Sequence, residues 1–486
     1  MLIRNAELEG YAGNPWRGGG QLADVRLAGG RIAAIGRLDP ADGERVIDAA
    51  GGALLPGLHD HHCHLFALAA ARTSVFCGPP EVDGAEALAR RLAQAPGSGW
   101  LRGTGYHESV AGDLGPDWLD RAWLDAHGPD RPIRVQHRGG RRWIVNSAAL
   151  DLLLAGGASP PPRLDRARGH IDDGDEWLRA RLTGQFPDLA PASADLARLG
   201  LTGLTEMTPS NDAAALACLA AQQDSGALRQ RLVLAGRADL PASADPRLRV
   251  RYTKLHLHDA RLPDYEATVG LVAASHAAGR PVAVHCVTLA ELVFALAALR
   301  EAGPLAGDRI EHASIAPDEQ VAEIAALGLI VVTQPHFIAE RGDAYLAAVD
   351  PADRPWLYRA AAFLNAGVPL AAGSDAPFGR PDPWAAMAAA VSRQTLAGQV
   401  IGASEALSPE AALALFLGHG EAPERQRTVA PGAPADLCLL DRGWAKARES
   451  LGAGLVRMTV GAGAVWFERK VANGSDHGHG SVTNPS

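Results

Sequence analysis

Between residues 52 and 377 the chain alternates strand-like and helix-like segments, and that rhythm constrains the fold more than any other feature. The strand-like runs are "GALLPGLHDHHCHL", "GLTGLTEMT" (200–208), "RQRLVLAGR" (229–237), "VRYTKLHLHD" (250–259), "PVAVHCV" (281–287), "RIEHAS" (309–314), "LIVVTQP" (329–335) and "VPLAAGSDAP" (368–377). Helix-like patterns such as "YEATVGLVAASHAAG", "LAELVFALAALREAG", "PDEQVAEIAALG" and "PWLYRAAAFLNAG" separate most of them. Several of these end in Gly, the residue suited to the left-handed turn that closes a helix. Eight such alternations predict an α/β fold, a (β/α)8 TIM-like barrel.

Two departures from the rhythm complete the architecture. The gap from 66 to 199 between the first two strands is too long for a loop and predicts an inserted subdomain at about 75–195. Both chain ends read as strands and hairpins without helices: "MLIRNAELEG", "ADVRLAGGRIAAIG" with its Gly29-Gly30 turn, "PGAPADLCLLD" (431–441) and "GLVRMTVGAGAVWFERK" (454–470). Residues 1–55 and 425–470 are therefore expected to form one small β-sandwich domain beside a barrel of residues 56–424. The closing stretch, 471–486, reads as a flexible polar tail, and its His477 and His479 as part of that tail.

Composition excludes several function classes. The net charge is −9, with Lys+Arg 46 and Asp+Glu 55 spread along the chain, and no basic stripe of the kind nucleic acid requires is present. No apolar run reaches membrane-spanning length, and the N-terminus lacks the apolar core of a signal peptide. Five cysteines (63, 77, 218, 286, 438) form no regular framework, so reduced thiols in a cytoplasmic protein are expected. A homo-oligomer, by default a dimer, is the expectation for a large cytoplasmic protein of this kind.

Barrel enzymes carry their chemistry at the C-terminal ends of the strands. Those ends supply His62 and His64 on the first strand, Glu206 on the second, and Lys254, His256 and His258 on the fourth. His285, His312, His336 and Asp375 follow on the fifth to eighth. Strict strand alternation puts Asp60, His62 and His64 on one face and His59, His61 and Cys63 on the other. Two imidazoles two residues apart can converge on one divalent ion, and several strand-end histidines with an aspartate make a metal site the expected chemistry.

The segment "LPGLHDHHCHL" resembles the Pro-Gly-Leu/Phe-x-Asp-x-His-x-His signature of the metal-dependent amidohydrolase superfamily. "VHCV", "RIEHAS" and "AGSDAPF" resemble its later ligand strands, and "PGAPADLCLLD" its returning sheet. "WLRGTGYHES" and "RRWIVNSAALDLL" are similar to the amidohydrolase-3 branch, which includes N-substituted formamide deformylase. The resemblance implies His62, His64, His285, His312 and Asp375 as metal ligands. It implies Lys254 as the lysine that, when carboxylated, bridges two ions. An ordinary lysine paired with a carboxylate such as Glu206 is the other reading of Lys254. Zinc is the expected metal, as one or two ions, although this ligand set also suits cobalt, manganese or iron.

The implied reaction is hydrolysis of a non-peptide C–N bond in a small amide, cyclic amide or carbamate. A metal-activated hydroxide would attack, with Asp375 as proton shuttle. Deamination on the same scaffold is the alternative, but purine and cytosine deaminases of the superfamily usually carry Glu where this chain has Thr288. A non-catalytic barrel used as a binding module is a further alternative, against which every expected ligand position is filled. The chain departs from its branch at Gly140-Arg141, commonly Gly-His, and in "KLHLHDARLPDYE", where Asp-Gly-Ser-Leu-Gly is common. Arg141 and Arg142 there either meet a substrate carboxylate or form surface ion pairs. Trp100, Trp143, His336 and Phe337 are read as pocket wall or as core. His256 and His258 either orient substrate or serve the structure.

Overall fold

In the computed structural model the described residues are 1–8, 21–79, 81–115, 117–182 and 186–469. The polar tail, with His477 and His479, lies outside them. Eight parallel strands pair in chain order: β1 (Leu58–Cys63), β2 (Leu201–Glu206), β3 (Arg231–Gly236), β4 (Leu248–His256), β5 (Val282–Cys286), β6 (Arg309–His312), β7 (Ile330–Thr333) and β8 (Leu370–Ala372). The ring closes just past the end of β8. There the Asp375 N–H donates to the His62 carbonyl at 2.6 Å, and the His64 N–H to the Ala376 carbonyl at 2.8 Å. This is the expected barrel, nearly closed.

Short aliphatic runs make these strands because both of their faces are covered. Met207, Val233, Ala235, Tyr252 and Ala283 pack together, and Ile330, Val332 and Ala371 form a second small cluster. Outside the ring, helices bury one stripe each, as Leu292, Leu296 and Leu299 do in the helix Leu289–Ala302. The pattern "PWLYRAAAFLNAG" yields a shorter helix than expected, Ala360–Asn365. Tyr358 stands in the left-handed region (φ 48°), and its N–H donates to the Ser314 carbonyl, so helical bonding starts only after it.

Residues between β1 and β2 carry a six-strand sheet of their own, in the order Leu164–Asp165, His170–Asp172, Arg142–Val145, Ile133–His137, Leu101–Tyr106, Val75–Phe76. It has its own apolar clusters, one around Leu88, Leu101 and Val135 and one around Trp143, Leu150 and Leu178. Strands from both chain ends form a separate eight-strand mixed sheet. Its far edge meets the run leading into the strand Leu437–Leu440, where the Ile32 N–H donates to the Ala433 carbonyl, so the sheet closes over a core of Ile3, Val25, Leu54, Leu439 and Val460. In the strand Ala53–Pro56, Leu54 joins that core while Ala53 and Leu55 join the core of the barrel. The first strand-like run of the sequence thus serves two sheets, dividing at Gly57. Among the described residues no helix is long and apolar enough to cross a membrane.

Candidate metal centre

The histidine-rich strand departs from simple alternation. Leu204 of β2 pairs with Asp60 and Glu206 with Cys63, which sets one residue, Thr205, opposite two, His61 and His62, so β1 carries a bulge between Asp60 and Cys63. The extra residue turns the strand and brings His62 and His64 to Asp375 while His61 stacks on His59, ring centroids 4.5 Å apart. His59 Nε2 lies 2.9 Å from Thr205 Oγ1. Asp60 is a strut: its Oδ1 accepts from the N–H of His62 at 3.1 Å and of Ser374 at 2.9 Å, tying β1 to the segment after β8.

At the ring's C-terminal end, Asp375 Oδ1 lies 3.1 Å from His64 Nε2 and 3.4 Å from His62 Nε2. The His312 ring stands 4.9 Å from that of His62 and 4.5 Å from that of His285. The rings of His62, His64 and His312 are each held through Nδ1. His62 Nδ1–H donates to Glu311 Oε2 at 2.6 Å, and Glu311 is in turn paired with Arg309. His312 Nδ1–H donates to Gln334 Oε1 at 2.7 Å, and His64 Nδ1 lies 3.0 Å from Thr208 Oγ1. For His62 and His312 the hydrogen bond donated from Nδ1 fixes the tautomer that leaves Nε2 with a free lone pair, as in metal-ligating histidines, whereas His64 Nε2 donates to Asp375. His312 Nε2 and Lys254 Nζ are buried with no hydrogen-bond partner among the described residues. Orphaned polar atoms in such a site point to a missing ligand.

Electrostatics favour the same use. Burial pushes His62 down to about 4, His312 to about 3 and His285 well below the ordinary value, keeping the imidazoles neutral. Burial also pushes Lys254 down to about 8. Burial alone would raise the Asp375 carboxyl, but the hydrogen bond it accepts from His64 holds it well below the usual carboxylate range. His312 (φ 69°) and Asp375 (φ 53°) occupy the left-handed region, which side chains other than Gly seldom adopt, and such residues gather at functional sites. Neutral imidazoles and a carboxylate, joined by Lys254 once it is carboxylated, form a donor set that fits a divalent cation.

The remaining residues singled out in the sequence separate into two groups. His256 is exposed at the mouth, its ring 4.4 Å from that of His285, and His258 lines a cavity with Arg141 and Arg142. Both arginines are engaged internally: Arg141 binds Asp173 through two bonds of 2.5 Å, and Arg142 binds Asp172 at 2.8 and 3.2 Å. Trp143 and His336 differ from a pocket-wall role because both are buried. Trp143 Nε1–H donates to Asp175 at 2.9 Å within the inserted region, and Arg134 lies over its ring. His336 Nε2–H donates to the Ser374 carbonyl at 3.0 Å, and Phe337 is buried under Arg341. Trp100 sits in the inserted region beneath Arg134. Glu206 has no cationic partner among the described residues; it accepts from the N–H groups of Leu65 and Thr208 and from Asn211 Nδ2. Sequence reasoning missed Glu311, whose signal was an acidic residue directly before the expected ligand His312 on an otherwise apolar strand.

Two other clusters of titratable groups are self-contained. In His107–Glu108–His137, Nδ1 of both histidines accepts a backbone N–H, so each Nε2 bears the proton and faces Glu108. Glu291, near His258, spends its oxygens on the N–H groups of Asp259, Val287 and Thr288.

Comparison with known proteins gives a consistent family. The model described as "Amidohydrolase family" matches residues 45–467. N-substituted formamide deformylase of Arthrobacter pascens is 25% identical over a gapped alignment of length 501, which covers 86% of this chain and 90% of that protein. Among solved structures, an uncharacterized metal-dependent hydrolase from Pyrococcus horikoshii is 22% identical with a TM-score of 0.72, covering 91% of this chain and 97% of that one. Atrazine chlorohydrolase TrzN from Arthrobacter aurescens, complexed with zinc, is 15% identical with a TM-score of 0.56, covering 96% and 95%.

Proposed function

This chain belongs to the amidohydrolase family; from that premise we propose that it is a metal-dependent hydrolase that cleaves the C–N bond of a small amide, cyclic amide or carbamate, with Asp375 carrying the proton. One observation supports the reading above the others: His62, His64 and Asp375 converge on one point, with the orphaned His312 Nε2 and Lys254 Nζ beside it. His62, His64, His285, His312 and Asp375 would hold the metal, for which zinc is our first candidate. Lys254, as its carbamate, would hold a second ion. When bound, such an ion lowers the pKa of water and polarises a carbonyl.

The chain's own groups supply the rest. Asp375 accepts a proton from the attacking water and returns it to the leaving nitrogen, so the amine departs neutral. Glu311 and Gln334 hold the His62 and His312 rings in one tautomer through both steps. Asp60 ties the segment that carries Asp375 to β1.

The test is metal content per chain by elemental mass spectrometry, on protein purified without a metal-affinity column, followed by assay of amide and carbamate libraries. Two equivalents with amide turnover fit the carbamate-bridged reading, and one equivalent a mononuclear hydrolase. Ammonia release from an aminated heterocycle without amide turnover would replace the reading with deamination. No metal after incubation with zinc and bicarbonate would overturn it.

A further inference from the structure

Glu206, at the end of β2, is wholly buried, and neither the proposed ligand set nor the proposed proton transfer uses it. Among the described residues it has no cationic partner. A carboxyl group withdrawn from water is costly unless hydrogen bonds replace the water it gives up. Glu206 therefore depends on its three donors, and those donors show what it holds. Oε2 accepts the N–H of Leu65, the residue directly after His64. Oε1 accepts the N–H of Thr208 at 2.9 Å and a hydrogen of Asn211 Nδ2 at 3.2 Å. The same Asn211 Nδ2 donates to the Ala235 carbonyl at 2.9 Å, which ties the group to β3.

Two of these bonds converge on one imidazole. Through Leu65 the carboxyl group fixes the backbone from which His64 projects. Through Thr208 it fixes a hydroxyl whose Oγ1 lies 3.0 Å from His64 Nδ1. The other ring nitrogen, Nε2, lies 3.1 Å from Asp375 Oδ1. The partners of the three imidazoles differ in kind. Glu311 and Gln334 Oε1 only accept, which ties His62 and His312 to one tautomer. A hydroxyl donates or accepts as it turns. Thr208 therefore holds the His64 ring with the proton on Nε2, toward Asp375, and equally with the proton on Nδ1, the form a ligand requires.

We propose that Glu206 and Thr208 are positioning residues for His64: the carboxyl group anchors both the peptide after His64 and the hydroxyl that keeps its ring aimed at the metal. The proposal rests on the reading of His64 as a metal ligand. Removing the hydroxyl leaves the Nδ1–H of a ligating His64 without an acceptor. Glutamine at position 206 turns an NH2 group onto an N–H donor, so one anchor is lost while the shape is kept.

The test reads zinc affinity by competition with a fluorescent chelator, and the visible bands of the cobalt(II)-loaded protein, which report ligand geometry without turnover. Thr208→Val keeps the shape of the side chain and should weaken zinc binding about 10–100-fold. Thr208→Ser, which restores the hydroxyl, should recover most of that loss. Glu206→Gln should weaken zinc binding to a similar degree and shift the cobalt bands. Thr208 is only half-buried, so Thr208→Val carries the test if Glu206→Gln fails to fold. A purely structural role would lower the melting temperature of chelator-treated protein and leave zinc affinity and cobalt bands at wild-type values; that result in Thr208→Val and Glu206→Gln overturns the proposal. His64→Ala isolates the premise. Zinc affinity lost in His64→Ala but unchanged in the other two variants overturns the positioning role alone, whereas wild-type affinity in His64→Ala overturns the ligand reading and the proposal together.

Discussion

Glu311 ties the metal centre to the stability of the barrel, and Glu311→Gln separates the two contributions. The carboxylate accepts His62 Nδ1–H at 2.6 Å and pairs with Arg309, and all three side chains are buried. Arg309 holds Glu311 well below the usual carboxylate range even though burial opposes it. Glutamine keeps the shape but leaves Arg309 as a buried cation without its anion, a loss of about 3–5 kcal/mol. At roughly 2 °C per kcal/mol for a large domain, the metal-free barrel should melt about 6–10 °C lower. The neutral amide is also a weaker acceptor for His62, and losing such a partner lowers metal affinity about 10–100-fold. Scanning calorimetry of chelator-treated protein measures the first effect, and zinc competition with a fluorescent chelator the second. Arg309→Met combined with Glu311→Gln removes both charges and should recover most of the melting loss while zinc affinity stays low. Wild-type zinc affinity in Glu311→Gln would overturn the orienting role of Glu311.

Four further outcomes are expected. Asp375→Asn should retain most of its metal yet lose about 10²–10⁴-fold in turnover; near-normal kcat would remove Asp375 from proton transfer. His62→Ala should deplete metal on elemental analysis, and unchanged content would count against the ligand assignment. Lys254→Ala should reduce a two-ion site to one, seen as metal per chain after incubation with bicarbonate. Gly373→Ala would place its Cβ 2.3 Å from His62 N, so both the melting temperature and zinc affinity should fall; wild-type values for both would show that β1 can shift freely.

The barrel was legible because each strand is short, aliphatic and bounded by helix signals, and because parallel strands must be covered on both faces. Strand-end histidines were legible because few other reasons place an imidazole there. Packing-dependent detail was not. Alternation applied to "HDHHCH" assumes one residue per rung, whereas the bulge against β2 adds one, a long-range pairing that local sequence does not encode. For Arg141 and Arg142 a substrate carboxylate and a surface ion pair stayed equally open in the sequence, because their partners, Asp172 and Asp173, sit some thirty residues away on a neighbouring strand and its end. Trp143 stayed open between pocket wall and core for the same reason, since the sheet that buries it forms from strands scattered between Val75 and Asp172. The short helix at Ala360–Asn365 reflects one left-handed residue, Tyr358, held by a bond to a different strand's end.

The closure of the ring also has a temporal side. His64 and Asp375 are 311 residues apart in the chain, an interval that takes roughly 15–60 s to synthesise. Through that time the imidazoles of β1 have neither their carboxylate nor the backbone bonds that hold the strand. The small sheet waits longer still, because Ala53–Pro56 pairs with Leu437–Leu440. A nascent chain therefore lacks the complete site, and a chain broken off before residue 370 never acquires it. Tight metal uptake thus belongs to the finished molecule, and the ion acts as a seal set on the ring after its last strand is in place.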